Sequence, residues 1–559
     1  MERVKQFIVF ILLTQTLVAV RAQNGFKEIA EQAGINHYFE VYEGMFGGGA
    51  CVLDFDNDGF EDLYLTGGRQ PDQLLHNQGN GSFKNVFEKS GLEITGEFAT
   101  QGVAAADVNR DGLTDLFIST LTEIDPDRII PRARNLLFLN KGNGKFEEVG
   151  QAYGIAHAES FSTGVAFGDV NADGYPDIYV GNYFTDYEGG LKEISDATIV
   201  NAGKTAKGYL YINKKGKRFV NSYKAYGLEH RGFSFGGVFT DFDNDHDMDI
   251  IVNNDFGYKA KPNYLLENQY PKKKFKYVEK DKEMDLRINA MGAAVGDYDE
   301  DGWLDYFITN IRFNWLMKNQ GAVRPFIDEA KVMGLNLFTI SWGANFADFD
   351  HDGDLDLFVA NGDLNPNCVP MHNFYFENEL GKFNEKSNEF GLRDYGLGRG
   401  SVVFDLENDG DLDLLLINQE AVMEYGAPST TRLYRNDHAN GNYIKIALRG
   451  KYATHEGLGA RVDLYTGGKK IIQEVDGGNS SHLSHNSRNV HFGLGNTSYI
   501  DSVKVIWPGG KTQKIGRLDV NQSVVIHETE NEKKYSFLII FVIGILILIT
   551  IVIFIKNKY

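Results

Sequence analysis

Apolar residues fall in short runs along this chain, separated by glycine-rich turns and by stretches dense in aspartate. Seven times a small-residue run such as FGGGACVL, STGVAFG or AMGAAVG leads into a nine-residue acidic segment. An apolar strand pattern follows each time: DLYLTG, DLFIST, DIYVGN, DIIVNN, DYFITN, DLFVAN and DLLLIN. A second run comes later in every unit (LLHNQ, LLFLN, YLYIN, YLLEN, WLMKN, FYFEN, RLYRN). In most units a Gly-rich turn and an F-x-x-(V/I)-x-x-x-x-G-(L/I) stretch close it. Runs this short, bounded by turn residues, predict strands rather than helices. Four of them per unit of 51 to 72 residues matches the size of a propeller blade.

The first segment bears on closure. Phe26–Ile35 repeats the outer-strand pattern ahead of the first acidic segment, whereas the seventh unit runs into Asn442 without one. The N-terminal segment is therefore expected to complete the last blade and leave no open sheet edge. The reading is an all-β protein, a seven-bladed β-propeller over residues 23–440. Residues 441–530 alternate apolar and polar positions, as in Ile444/Ile446/Leu448 and Val503/Val505/Trp507. They predict a small C-terminal β domain.

The two ends have a different character. Residues 1–22 read as a signal peptide, with Arg3 and Lys5 before the apolar Phe7–Val20 and Val20-Arg21-Ala22 as the cleavage site. Phe537–Ile555 holds no charged residue in 19 positions and reads as one C-terminal transmembrane helix, about 28 Å long at ~1.5 Å per residue. Residues 556–559 would form a short basic cytoplasmic tail. A sorting signal removed after export is the alternative reading of this end. The expected location is therefore the membrane, single-pass, with propeller and β domain extracytoplasmic.

Charge sharpens the picture. The 559 residues carry 56 Lys+Arg against 77 Asp+Glu, a net charge of −21. The seven acidic segments alone hold 31 of those acids and one base, so the remainder of the chain sums to +9. The acidity belongs to the repeated segments, and no nucleic-acid partner is expected. Two cysteines, Cys51 and Cys368, sit in units one and six, where a bridge between them is not expected.

Each acidic segment places oxygen side chains at positions 1, 3, 5 and 9. Position 6 is glycine in six of the seven, and the position-7 carbonyl can add a ligand. The candidate metal ligands are Asp54, Asp56, Asp58 and Asp62; Asp107, Asn109, Asp111 and Asp115; Asp169, Asn171, Asp173 and Asp177. They continue with Asp241, Asp243, Asp245 and Asp249; Asp297, Asp299, Asp301 and Asp305; Asp348, Asp350, Asp352 and Asp356; Asp405, Glu407, Asp409 and Asp413. Hard oxygen donors in a flexible loop select Ca2+, with up to seven sites, over Mg2+ or zinc. A lone loop of this kind could be a solvated turn; seven in register argue for a metal. Asn109 and Asn171 should weaken sites two and three, and His246 at position 6 disfavours the left-handed turn of site four.

This repeat resembles the FG-GAP (VCBS) repeat of integrin-alpha-like calcium-binding propellers, over roughly residues 24–440. NYIKIALRG, GLGARVDLY, HFGLG and VKVIWPGGKTQ resemble the ASPIC/UnbV domain that follows such propellers in cartilage acidic protein-type proteins. His455-Glu456 stands where that family often has Asn-Arg. The resemblance implies extracellular calcium binding and interaction, without a settled enzymatic activity.

Catalytic patterns are weak. Gly232–Gly236 matches G-x-S-x-G but aligns with the start of an inner strand, where the motif needs a strand-to-helix elbow. His482, His485 and His491 cluster without an acidic partner at ligand spacing. No P-loop, HExxH or Rossmann fingerprint occurs. The expected function is a non-catalytic adhesion or ligand-binding module for an extracellular protein or polysaccharide. The alternative is an enzyme acting on an extracellular polymer in the propeller channel. Antiparallel alternation puts the large insertions, 121–135, 182–208, 254–263, 361–373 and 419–431, on the face away from the acidic loops. There Arg128, Arg132, Arg134, Tyr183 and Tyr187 are the candidate ligand-binding residues.

Overall fold

The computed structural model describes residues 25–40, 47–121, 133–156, 161–185, 204–363, 371–379, 381–421, 426–427 and 429–530. The expected signal peptide and the apolar segment 537–555 lie outside them. Among the described residues, no helix is long and apolar enough to cross a membrane.

Strands make up nearly all the regular structure. Blade one is Ala50–Leu53, Asp62–Leu65, Gln73–Asn77 and Phe83–Asn85, paired in that order and antiparallel throughout. Five further blades follow, with inner strands Ala99–Ala106, Ser162–Gly168, Phe233–Thr240, Ala293–Gly296 and Thr339–Ala347. The seventh takes Leu397–Phe404, Asp413–Gln419 and Arg432–Asn436 from the end of the repeat region. Its outer strand is Phe26–Glu28, paired antiparallel with Arg432–Asn436.

Each blade buries both faces, so alternate residues of one strand enter different cores. In blade seven Leu414 and Leu416 pack against blade six, through Phe358 and Tyr375. Leu415 and Ile417 pack against blade one, through Val52 and Leu63. That is why DLLLIN reads as an unbroken apolar run. An apolar cluster fills every one of the seven blade–blade interfaces, and the ring is closed by packing as well as by pairing.

The C-terminal domain is two small sheets plus a two-stranded ribbon, Tyr499–Ile500 with Leu518–Asp519. One joins Val490–Gly495, Asn442–Arg449 and Gln522–His527; the other is centred on Arg461–Thr466 and Ser502–Trp507. Ile444, Ile446, Leu448, Val503, Val505 and Trp507 are buried between them. This domain docks on the face of the propeller that carries the acidic loops. Arg461 Nη2 donates to the Gly302 carbonyl at 3.1 Å, Arg110 Nη2 to the Lys451 carbonyl at 2.8 Å, and the Gly509 amide to the His246 carbonyl at 2.8 Å.

The channel of the ring is filled. Residues 476–487, a loop of the C-terminal domain, thread into it and touch the inner strands or entry residues of all seven blades. His485 pairs with Ala50 and Val52, and Val103 donates to the Leu483 carbonyl. Phe167 donates to the Gly477 carbonyl, and Asn479 Nδ2 to the Phe235 carbonyl. His482 Nδ1 meets the Met291 carbonyl at 2.9 Å, and Asn486 Oδ1 accepts from Asn345 and Val403. Ser481, His482, Leu483, Ser484 and His485 are all buried.

Candidate metal centre

All seven acidic loops fold alike. Position 4 is left-handed in every one, with φ between 50° and 63°, whether it is Asn57, Arg110, Ala172, Asn244, Glu300, His351 or Asn408. Position 6 is left-handed too. His246 takes φ 72° there, beside 83° to 105° for the six glycines, so loop four keeps the common geometry at some backbone cost.

This winding points the loop amides inward. In six loops the two oxygens of the position-1 aspartate accept the amides of positions 5 and 6, at 2.7–3.2 Å. The position-9 aspartate, first residue of the second strand, is buried in all seven. Its Oδ1 accepts the amide of an asparagine at the end of the third strand, at 2.7–2.9 Å, in every blade.

Those asparagines, Asn77, Asn140, Asn213, Asn268, Asn319, Asn378 and Asn436, also link the loops to one another. Each Nδ2 donates to the position-2 carbonyl of the loop in the preceding blade, at 2.7–3.2 Å. The set forms a complete ring of interblade latches. Sequence reasoning assigned these residues no role, although an asparagine recurs at the same place in all seven units.

The charge balance is unfavourable without a cation. Burial above all, then the neighbouring carboxylates, pushes Asp62 up to about 8 and Asp297 up to about 7, against the opposing effect of the amide bonds. Carboxylate oxygens of positions 1, 3 and 9 converge within 4.8 Å of one another in loops one, four and five. Three buried oxygens of these candidate ligands accept no hydrogen bond at all: Asp299 Oδ1, Asp305 Oδ2, where no position-2 amide reaches it, and Asp348 Oδ1, where the position-5 amide turns to Asp350 instead. An unsatisfied buried carboxylate oxygen is costly. The all-oxygen donor set and these three atoms fit a hard divalent cation.

The loops differ in what faces them. In several blades the residue before the latch asparagine faces the loop: His76 lies 3.2 Å from Asp56 in loop one, and Glu377 joins Asp350 and His438 in loop six. In loop five it is Lys318, which pairs with Asp299 and lies 3.6 Å from Asp301. Loop seven receives Lys445 from the C-terminal domain, buried and 2.6 Å from Asp405 Oδ2. Sequence alone marked loops two, three and four as the weak ones. The structure adds internal cations to loops five and seven.

The candidate ligand-binding residues fare differently. Arg128, Arg132 and Tyr187 lie outside the described residues, as do most of the insertions that carry them. Tyr183 is a correction: it is fully buried, with its hydroxyl donating to Asp255 at 2.5 Å and its ring against Phe184, Phe233 and Phe235. Its insertion turns it into the apolar centre of that face, so it cannot stack on a ligand. Arg134 is also engaged, forked onto Glu148 at 2.9 and 3.2 Å and over the Phe98 ring. Ser234 of the G-x-S-x-G match is buried within an inner strand, and its hydroxyl faces backbone carbonyls. Cys51 is buried and unpaired, its thiol pushed up to about 12 by burial.

Comparison with known proteins agrees with this architecture. The FG-GAP-like repeat family matches residues 54–118, 129–180, 297–359 and 348–416, the FG-GAP repeat family residues 161–212, and the ASPIC and UnbV family residues 450–533. Cartilage acidic protein 1 of Xenopus tropicalis is 26% identical over 522 residues, covering 87% of this chain and 75% of that protein. Integrin alpha-PS2 of Drosophila melanogaster is 28% identical over 193 residues, 30% of this chain and 12% of its own length. Among solved structures, an Agrocybe aegerita lectin specific for non-reducing terminal N-acetylglucosamine aligns with a TM-score of 0.39 and 13% identity, over 80% of this chain and 98% of the lectin. The chain carries FG-GAP repeats followed by an ASPIC/UnbV domain, and along most of its length it is similar to cartilage acidic protein 1.

Proposed function

We propose that this protein is an extracytoplasmic, calcium-binding propeller that acts without catalysis as an adhesion or ligand-binding module, anchored to the membrane through residues 537–555. The observation that carries the metal part is the set of buried, unbonded carboxylate oxygens, Asp299 Oδ1, Asp305 Oδ2 and Asp348 Oδ1, inside loops built wholly of oxygen donors. Position 1, 3, 5 and 9 side chains would hold the ion. Bound calcium would supply the positive charge that lets the buried carboxylates ionise. Lys318 and Lys445 compete for that role, so loops five and seven should hold calcium least tightly.

A partner, protein or polysaccharide, would meet the face opposite the loops, because the C-terminal domain covers the loop face. The described part of the opposite face exposes Phe313 and Phe338, in edge contact at 6.0 Å, and Tyr258 beside Lys259. Exposed aromatics of this kind suit a binding surface. Similarity to cartilage acidic protein 1 supports an extracellular setting.

Stripping calcium with a chelator should lower the melting temperature substantially. An unchanged melting curve, with metal loss verified by elemental analysis, would overturn the calcium reading. For topology, a protease outside intact cells should cleave the propeller while a tag after Tyr559 stays protected; an accessible tag would refute the anchor's orientation.

A further inference from the structure

Loop six receives an imidazole from the neighbouring blade. The latch Asn436 donates from Nδ2 to the Phe349 carbonyl of loop six at 2.7 Å, and its Oδ1 accepts the His438 amide at 2.9 Å. The Asn440 amide then donates to the Asp350 carbonyl at 3.1 Å. These bonds hold the turn after the third strand of blade seven beside loop six, and His438 comes with it. Two residues beyond the latch the other blades have Gly79, Gly142, Lys215, Tyr270, Gly321 and Leu380, so this position supplies a histidine only here.

Glu377 reaches the same place from blade six, as the residue before the latch Asn378 in the strand Phe374–Asn378. A ring nitrogen of His438 and one carboxylate oxygen each from Asp350 and Glu377 lie within 4.8 Å of one another, and all three residues are half-buried. The His438 ring packs edge-on against Phe390, with centroids 4.4 Å apart. Its Nδ1 is buried and makes no hydrogen bond, and its Nε2 makes none among the described residues. A sheltered imidazole beside two carboxylates ordinarily bonds to one of them, and leaving it unbonded is costly. Side chains that share an ion stand in this way, close together yet not bonded to each other. The trio of loop one, Asp56, Asp58 and His76, differs: His76 Nδ1 is bonded to Gln78 at 3.0 Å, and its Nε2 lies 3.2 and 3.4 Å from the two carboxylates.

Charge points the same way. Loop six carries five aspartates, and Glu377 adds a sixth carboxylate. Lys386 is the cation that acts on Glu377; it stands 3.6 Å from it and 3.4 Å from Glu389, which shares it. With all six carboxylates ionised, one calcium ion and Lys386 still leave negative charge in excess. Asp350, at position 3, has two oxygens and can serve both the loop's calcium and a second ion. Calcium takes oxygen ligands, whereas imidazole suits zinc, for which three protein ligands plus a water are a recurrent coordination.

We propose that Asp350, Glu377 and His438 form a second cation site on loop six, distinct from the calcium position and suited to a borderline divalent ion such as Zn2+. The site bridges blades six and seven where the ring closes: Phe390, against which His438 packs, accepts the Phe26 amide at 2.8 Å, and Phe26 opens the outer strand of blade seven. It goes beyond the calcium reading, because Glu377 and His438 lie outside the nine-residue segment.

Calorimetric titration of the full chain with ZnCl2, in detergent at saturating calcium, tests it, with an indicator dye reporting calcium release. One equivalent of zinc should bind at this site without releasing calcium. His438→Gln should weaken that binding at least about tenfold, or about 1.4 kcal/mol, while His76→Asn should leave it unchanged. If His438→Gln does not fold, Glu377→Gln should weaken zinc by a similar factor. No zinc binding by the wild type, or equal affinity in the wild type and a folded His438→Gln or Glu377→Gln variant, would overturn the site. Loss of the zinc on His76→Asn would move it to loop one and overturn the assignment. Zinc that displaces a calcium ion would show one shared position in place of two. A failure of the calcium reading registers separately, in the chelator melting curve, and zinc binding that depends on His438 would survive it.

Discussion

Asn319→Asp exchanges one amide NH2 for an oxygen and so cuts a single latch of the ring while keeping side-chain size. The wild-type Nδ2 donates to the Phe242 carbonyl of the preceding loop at 2.8 Å and to the Leu304 carbonyl at 3.2 Å, from a residue only 1% exposed. Asn319 Oδ1 accepts the Gly321 amide at 3.0 Å, a bond the aspartate can keep. The variant leaves two carbonyls facing a carboxylate, beside Asp305. Each buried group left unsatisfied costs about 1–3 kcal/mol, so the expected loss is about 3 kcal/mol. With a urea m-value of at least about 3 kcal/mol/M for a chain of this size, the unfolding midpoint falls by up to about 1 M. Gln320→Ala is the control, since it removes only a surface bond to the Pro325 carbonyl and should stay within about 0.5 kcal/mol. Urea titration at saturating calcium reads both. A midpoint for Asn319→Asp indistinguishable from that of Gln320→Ala would refute the latch.

The other expectations concern pH and the channel. His37 and His230 are buried and neutral, lowered by burial to about 4 and about 3, against about 6.5 in the unfolded chain. Above pH 6.5 they contribute nothing to the pH dependence. As pH falls below it, the unfolded state takes up protons that the folded state refuses, and each histidine removes up to about 1.4 kcal/mol per pH unit down to its folded value. Stability at saturating calcium should therefore drop between pH 6.5 and about 4, and His37→Asn should shallow that slope by about one proton; an unchanged slope would count against it. Gly400→Ala should cost about 1–3 kcal/mol by overpacking, because a Cβ there would sit 2.3 Å from Ser484 Oγ and 2.7 Å from the His482 carbonyl. Gly96→Ala, with open space around it, should be neutral, and equal midpoints for the two would show that the channel loop yields freely.

Local pattern was enough to count the blades, place the acidic loops and find the C-terminal strands, because each depends on contacts between residues close in sequence. A strand buried on both faces must be apolar throughout, and a loop winding through two left-handed positions must carry small or amide side chains at most of them. The same pattern displayed the small-residue run before each acidic loop but not its cause. A side chain at Gly49, Gly164, Gly236, Gly343 or Gly400 would collide with the loop 476–487, which arrives from more than seventy residues beyond the last of them. Only the tertiary structure brings that loop into the channel. It also decides that Tyr183 turns inward, that Lys445 crosses from another domain to Asp405, and that each latch asparagine bonds to the blade before its own. The recurring asparagine was visible in all seven units, yet its partner is a backbone carbonyl, which leaves no mark in a sequence.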